Sequence, residues 1–514
     1  MFILFVLIFT SLSTDVIAQK PAQVCPPNAS VSTLLTHITP DSVAKWIRDF
    51  SGANAVSVNG VERTIKTRYS RQLFVNNPEA MAYAYLHQEL LNMGYIAGVT
   101  LIDHSYNASK YHTISEGFCT VQVDAGAPCE VITDHTGNLE QQFQNASTLL
   151  NTDTDLQLFN GFLSVREYAI TPEQTAGWKN KVVTIPGHGP NADEIVLMTA
   201  HMDSISEKPD TLAPGAEDNG SGVSALMEAA RLLRFYKFDR TIKLVFFTGE
   251  EQGLWGSKAY VMDHPEEMDD IVGVVNLDMF GYDNDKDMCI ELHVGNMPAS
   301  KNVGTCFTDV NSNYDLGLSY DYLINEAIRA SDHASFWDAG VGAIEVLENY
   351  DKHSSAYGCG GRKDRNPNYH RTSDLINGMY MPATHATVQA GIGTTASLAG
   401  PLGKCFAQDP KITATPQSGS IRLSWPDVEG ADVYNIYRSI STCGGNFIQV
   451  AQVETNSYED FDIVFDKYYF YKINAAESGA VCFSQLSNCA VARVPEPIVP
   501  VVQEMFLPLI ISRE

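Results

Sequence analysis

A chain of 514 residues is too long for one ordinary domain, and two to four are expected. Its 61 acidic and 34 basic side chains give a formal net charge of -27, which disfavours nucleic acid and acidic membrane faces as partners. A hydrophobic content of 44% is ample for a packed core.

Phe2 to Phe9 form an apolar run, and Val16-Ile17-Ala18 offers a cleavage site before Gln19, so residues 1–18 read as a signal peptide. The run is too short to anchor in a bilayer. Export, to the extracellular space or a periplasm, would place the ten cysteines in an oxidising compartment. Cys119 and Cys129 bracket a short loop and are expected to form a local bridge. Cys359 lies near the expected site rim, and Cys443, Cys482 and Cys489 belong to a later unit. Cys25 precedes any visible core, and Cys289, Cys306 and Cys405 have no local mate.

Residues 19–35, rich in Pro, Ser and Asn, are expected to form an exposed arm. Thr39 to Phe50 predicts a capped amphipathic helix with Val43, Trp46, Ile47 and Phe50 on one face. Pro78 to Met93 predicts a second. Between 98 and 181, strand-like pieces at 119–123 and 129–135 lie among Asn, Thr and Gly, and read as sheet edges with a variable insertion along one wall of a crevice.

The chain then repeats strand, polar cluster, helix. Ile195 to Met198 leads into His201, Ile242 to Phe247 into Glu250 and Glu251, and Ile271 to Val275 into Asp278. Short apolar runs separated by helical patterns predict an α/β unit with a parallel or mixed sheet covered on both faces. Ligands of such sheets gather beyond the carboxyl ends of the strands, so these clusters should converge. Helical faces follow from Val223 to Leu233 and from Leu254 to Met262, and Gly220 and Gly222 allow close backbone approach at the first. Residues 286–295 and 343–349 predict strands, 300–313 is ambiguous, 350–380 is a long polar loop, and a helix at 381–398 closes the unit.

Residues 399–410 read as a Gly- and Pro-bearing linker. From about 411 to 495 short alternating strands predict a small β-sandwich, with Trp425, Tyr434 and Ile436 facing one core. The Pro-rich and apolar tail at 496–514 falls far short of the roughly 20 residues that cross a membrane.

Adjacent carboxylates at a strand end diverge if the pleat continues, so one of Glu250 and Glu251 can face a metal while the other takes a proton from water beside it. The ordinary alternative is a solvated acidic turn. His201 offers a nitrogen to an ion, and Asp203 would fix its tautomer or brace the neighbouring loop. Asp218 is either the cap of the following helix or a carboxylate bridging two ions. Asp278 is a strand-end turn residue or a terminal ligand, and His370 a loop histidine or a ligand. Each structural alternative is reasonable alone, but together they would have to coincide. Two ions sharing Asp218 would each gain one histidine and one further carboxylate, and two imidazoles favour zinc over magnesium.

Through HMD (201–203), EDNGSG (217–222), GEEQGLWGS (249–257), NLDMFG (276–281), SDHASF (331–336) and YHRTSD (369–374), the chain resembles the M28 family of zinc peptidases, in its co-catalytic aminopeptidase branch. The likeness spans roughly residues 36–398. It implies a three-layer α/β sandwich around a mixed, mainly parallel sheet, and two Zn2+ per chain. One ion would take His201, Asp218 and Asp278, and the other Asp218, Glu251 and His370. Glu250 would be the general base, and Tyr369 would stabilise the oxyanion or buttress the loop. The expected reaction is direct attack by a metal-bound hydroxide on the N-terminal peptide bond of peptides or proteins with a free N-terminus. Asp332 and His333 match the family but read as structural.

Glutaminyl cyclases of this family depart at the first histidine, which His201 retains. A carboxypeptidase or another amide hydrolase of the family remains an alternative, as does a secreted adhesion protein with a degenerate peptidase domain. The latter predicts a missing ligand or base, and none is missing. Residues 411–495 resemble a fibronectin type III domain through Trp425, Tyr434 to Tyr437 and YYFYKI, expected to be a spacer or to contact extracellular glycan or protein.

Overall fold

The computed structural model describes residues 24–70, 81–107, 121–122, 162–163, 177–353, 358–360, 362–445, 447–479 and 481–496. The expected signal peptide, the Cys119–Cys129 bridge, the strand at 129–135 and the tail beyond 496 lie outside these residues.

Eight strands form the central sheet: β1 (Leu101–Tyr106), β2 (Trp178–Ile185), β3 (Ile195–His201), β4 (Thr241–Phe247), β5 (Ile271–Leu277), β6 (Cys289–His293), β7 (Ser319–Leu323) and β8 (Ala343–Glu348). Their spatial order is β7-β6-β8-β5-β3-β4-β2-β1. The inner strands β8, β5, β3 and β4 are parallel, while β2 and β1 pair antiparallel at one edge and β6 opposes β8 toward the other. The expected mixed sheet is therefore present, and its edge strand β1 and the start of β2 fall within residues 98–181, the segment read as sheet edges and an insertion.

Helices cover both faces. They are α1 (Ala29–Leu35), α2 (Pro40–Phe50), α3 (Met81–Asn92), α4 (Gly220–Leu233), α5 (Trp255–Asp263), α6 (Pro298–Asn313), α7 (His333–Asp338) and α8 (Met381–Ala399). On β3, Val196, Met198 and Ala200 join the core under α4 and α8, whereas Ile195 and Leu197 join Tyr260 of α5 and Phe336 of α7 on the other face. A strand buried on both faces cannot show polar alternation, which is why its sequence reads as one apolar run.

Three expectations need correction or completion. The expected arm contains a packed helix over 29–35: α1 is capped by Asn28 and buries Val31, Leu34 and Leu35. A disulfide from Cys25 to Cys306 of α6 ties it down. The ambiguous stretch at 300–313 lies within α6, which starts with Pro298 and buries Val303, Phe307 and Val310. The segment read as a linker contains a strand, Pro401–Lys404, paired antiparallel with Tyr236–Phe238. Pairing of this kind is set by a distant partner and leaves no local periodicity.

Beyond it, strands Thr413–Pro416, Ile421–Ser424 and Ser457–Asp460 form one sheet. A second contains Ile448–Val453, Val433–Ser439, Tyr468–Ala476 and Ala490–Arg493 in that spatial order. Trp425, Tyr434, Ile436 and Tyr471 share their core. The unit docks on the first: Val433, Ala476, Val481 and Phe483 join the main core, and the Phe483 N–H donates to the Arg234 carbonyl at 3.0 Å. Disulfides Cys405–Cys482 and Cys443–Cys489 staple it. Among the described residues no helix is long and apolar enough to cross a membrane.

Candidate metal centre

The three neighbouring parallel strands β5, β3 and β4 end on one side of the sheet, and each delivers an acid or imidazole there. His201 closes β3, Asp278 follows β5, and Glu250 and Glu251 follow β4 in the turn before α5. All four are buried. Asp218 enters from the turn that starts α4, and His370 from the long loop between β8 and α8.

Helix capping at α4 falls to Asn219, whose Oδ1 accepts the Gly222 N–H at 2.8 Å. The Asp218 carboxylate instead points at both imidazoles: Oδ1 lies 3.3 Å from His201 Nε2 and Oδ2 lies 3.2 Å from His370 Nε2. A Cβ at Gly222 would come within 2.4 Å of the Leu277 carbonyl oxygen, so only glycine lets this turn lie against the end of β5.

Two groups of potential metal ligands result, His201–Asp218–Asp278 and Asp218–Glu251–His370, each with its donor atoms within 4.8 Å of one another. His201 Nε2 is 3.0 Å from Asp278 Oδ1, and His370 Nε2 is 3.0 Å from Glu251 Oε2. Donors about 2.0–2.1 Å from a tetrahedral zinc lie roughly 3.3 Å apart, so this spacing fits two ions sharing Asp218. Glu250 belongs to neither group, although its Oε2 is 3.8 Å from His201 Nε2.

His201 Nδ1 faces the backbone carbonyl of Asp203 at 3.1 Å, which selects the tautomer whose Nε2 lone pair faces the carboxylates. The Asp203 side chain serves the loop: its oxygens accept the N–H groups of Glu250 and Glu251, each at 3.3 Å, and the Ser70 hydroxyl at 2.8 Å. Tyr369 stacks on His370 with ring centroids 3.7 Å apart, and Tyr350 meets it edge-on at 6.0 Å. Asp332 and His333 lie outside both ligand groups. Their neighbour Ser331 instead donates to Asp278 Oδ2 at 2.6 Å and accepts from Asn276 Nδ2.

Several supporting residues were not singled out from the sequence. Asp374 accepts the N–H groups of Glu217 and Asp218 at 3.1 Å each, joining the His370 loop to the Asp218 turn. Glu217 accepts from the Gly281 N–H and from Asn366 Nδ2, bridging the segment after Asp278 to the same loop. Both residues stand inside quoted motifs, which was the available signal. Arg68 had none. Fully buried, it donates to the carbonyls of Phe50, Met202, Pro214 and Gly215, clamping the chain beside His201 to the chain beside Asp218.

Burial opposes the charged form of His370, but Glu251 and Asp218 outweigh it and raise its pKa to about 9. Burial is likewise overcome at His201, raised well above its ordinary value by Asp278 and Glu250. Hydrogen bonds from both histidines overcome the burial of Asp218 and hold its carboxyl below the usual range. A metal must displace the imidazole protons, so protons compete with it below these raised pKa values. Zinc affinity of the metal-free chain, measured against a competing chelator, is expected to rise about tenfold per pH unit for each proton released, with the His370 contribution levelling above about 9. A flat profile from pH 6 to 9 would contradict this.

Residues 180–394 match the model of Peptidase family M28. This segment holds every proposed ligand. The chain is 32% identical over 185 residues to aminopeptidase YwaD of Bacillus subtilis, covering 36% of each chain. It is 39% identical over 109 residues to leucine aminopeptidase 1 of Trichophyton rubrum, covering 20% of this chain and 28% of that one. The match thus spans about a third of the length of these curated relatives. The solved structure of BSAP, a zinc aminopeptidase from Bacillus subtilis, aligns with a TM-score of 0.45 at 18% identity, over 70% of this chain and 94% of that one.

Proposed function

We propose that the chain is an exported aminopeptidase using two zinc ions, held by His201, Asp218 and Asp278 and by Asp218, Glu251 and His370. The observation that carries the reading is Asp218, whose two oxygens each face a different imidazole in two overlapping ligand groups. The sequence match to M28 peptidases and to aminopeptidases supports the same class.

Zinc there would polarise the scissile carbonyl and make water acidic near neutral pH. Glu250, beside His201 and within neither group, takes the proton of the attacking water and returns it to the leaving amine. Asp203 holds the Glu250–Glu251 turn by accepting both backbone N–H groups. Tyr369, stacked on His370, offers its hydroxyl to the developing oxyanion. Four disulfides among the described residues suit an oxidising compartment. The C-terminal pair of sheets is proposed as a fibronectin type III-like module contacting extracellular protein or glycan.

Aminoacyl and N-acetyl-aminoacyl anilides, assayed together with elemental analysis, test the reading. Two zinc per chain and cleavage only of free-amine substrates are expected. Cleavage of the blocked substrates would assign a different amidase, and no cleavage by the zinc-loaded chain would overturn the enzyme reading.

A further inference from the structure

The segment after Asp278 continues as Asp283-Asn284-Asp285-Lys286-Asp287, with carboxylates at alternate positions. Asp364, from the loop that carries His370, joins them: one oxygen from each of the four lies within 4.8 Å of the others. Arg362 answers part of this charge, with Nη1 2.6 Å from Asp285 Oδ2 and 3.8 Å from Asp287 Oδ2. It does so from the outer rim, with 62% of its side chain exposed.

On the inner side the N–H groups of Lys286 and Met288 answer Asp283, and that of Cys289 answers Asp287 at 3.0 Å. Asp364 is only 6% exposed, and its buried Oδ2 has no hydrogen-bond partner. A carboxylate oxygen sealed from water without a donor is costly unless a cation meets it.

We propose that Asp283, Asp285, Asp287 and Asp364 form a calcium site, separate from the two zinc-ligand groups, that clamps the segment following Asp278 to the loop preceding His370. The donor set is all oxygen, with neither imidazole nor thiolate, and selects a hard cation. Calcium takes six to eight oxygens at about 2.3–2.6 Å, so two of them can face each other across roughly 5 Å. Magnesium keeps most of its water and seldom takes more than one or two carboxylates, so four protein carboxylates favour calcium.

Both clamped segments feed the zinc-ligand groups. Asp283 follows Asp278 by five residues, and Asp364 precedes His370 by six. The disulfide Cys289–Cys359 joins the same two segments beside the acidic group. Calcium therefore acts as a positioning ion, lowering the freedom of the His370 loop.

The site does not depend on the peptidase reading. The test is calorimetric titration of the full chain, kept saturated with zinc, with calcium chloride. One calcium per chain is expected, with a Kd at or below about 10⁻³ M, and the melting temperature should rise with calcium. Asp285→Asn, at an exposed position, and Asp364→Asn should each weaken binding at least about tenfold with zinc content unchanged. No saturable binding by the wild type up to about 10 mM calcium overturns the proposal. So does undiminished affinity in Asp285→Asn, which needs no buried change to fold. Equal competition by magnesium overturns the choice of calcium. Zinc content and anilide hydrolysis of the same samples report separately on the other site.

Discussion

Glu250→Gln is expected to lower kcat about 10²–10⁴-fold while two zinc ions stay bound. Glutamine keeps the shape of the side chain and the backbone N–H bond to Asp203, but cannot accept a proton. The substitution therefore separates proton transfer from metal binding. KM should change little, because the proton moves only along the reaction path. Elemental analysis gives the decisive control: if zinc is lost together with activity, Glu250 is a ligand and the roles of the glutamate pair must be exchanged. Activity within a few-fold of wild type would remove Glu250 from the mechanism.

The chemistry of this chain is more legible in its sequence than its supports are. His201, Glu250, Glu251 and Asp278 stand where apolar runs break, and three adjacent parallel strands bring those breaks to one edge of the sheet. Asp218 and His370 were reachable only through motif and resemblance, since a turn and a long loop carry no periodicity. Arg68 and Ser70 were invisible because what they hold is largely backbone: Arg68 binds four carbonyls, and Ser70 bridges Asp203 to the Gly249 N–H. Disulfide partners were equally hidden, at sequence separations of 281 for Cys25 and Cys306 and 77 for Cys405 and Cys482. Such pairs are set by the packed fold. The strand at 401–404 belongs with them, because its partner lies far away in sequence.

Asp218→Asn is expected to weaken zinc binding more than about 100-fold, since even partners that merely orient a ligand cost 10–100-fold when lost. Asparagine is isosteric, and capping of α4 by Asn219 and the Asp374 bond to the residue 218 N–H are retained. The fold should therefore persist. In the metal-free chain burial raises the pKa of the Glu251 carboxyl, and nearby Asp218 adds to that rise. Removing it relieves this repulsion but also takes away a partner of His370 and His201, whose protonated forms it stabilises. Its own depressed pKa makes its contribution present above about pH 4 and lost as pH falls through the lowered folded value, so the variant and wild type should converge in acid. At neutral pH the metal-free variant should therefore melt below the wild type, and the rise that zinc confers should be smaller in it because of the lost affinity. Thermal unfolding with and without zinc reads both quantities. A variant that binds two zinc ions as tightly as wild type would show that Asp218 does not bridge them, and one that fails to fold without metal would show that its main role is structural.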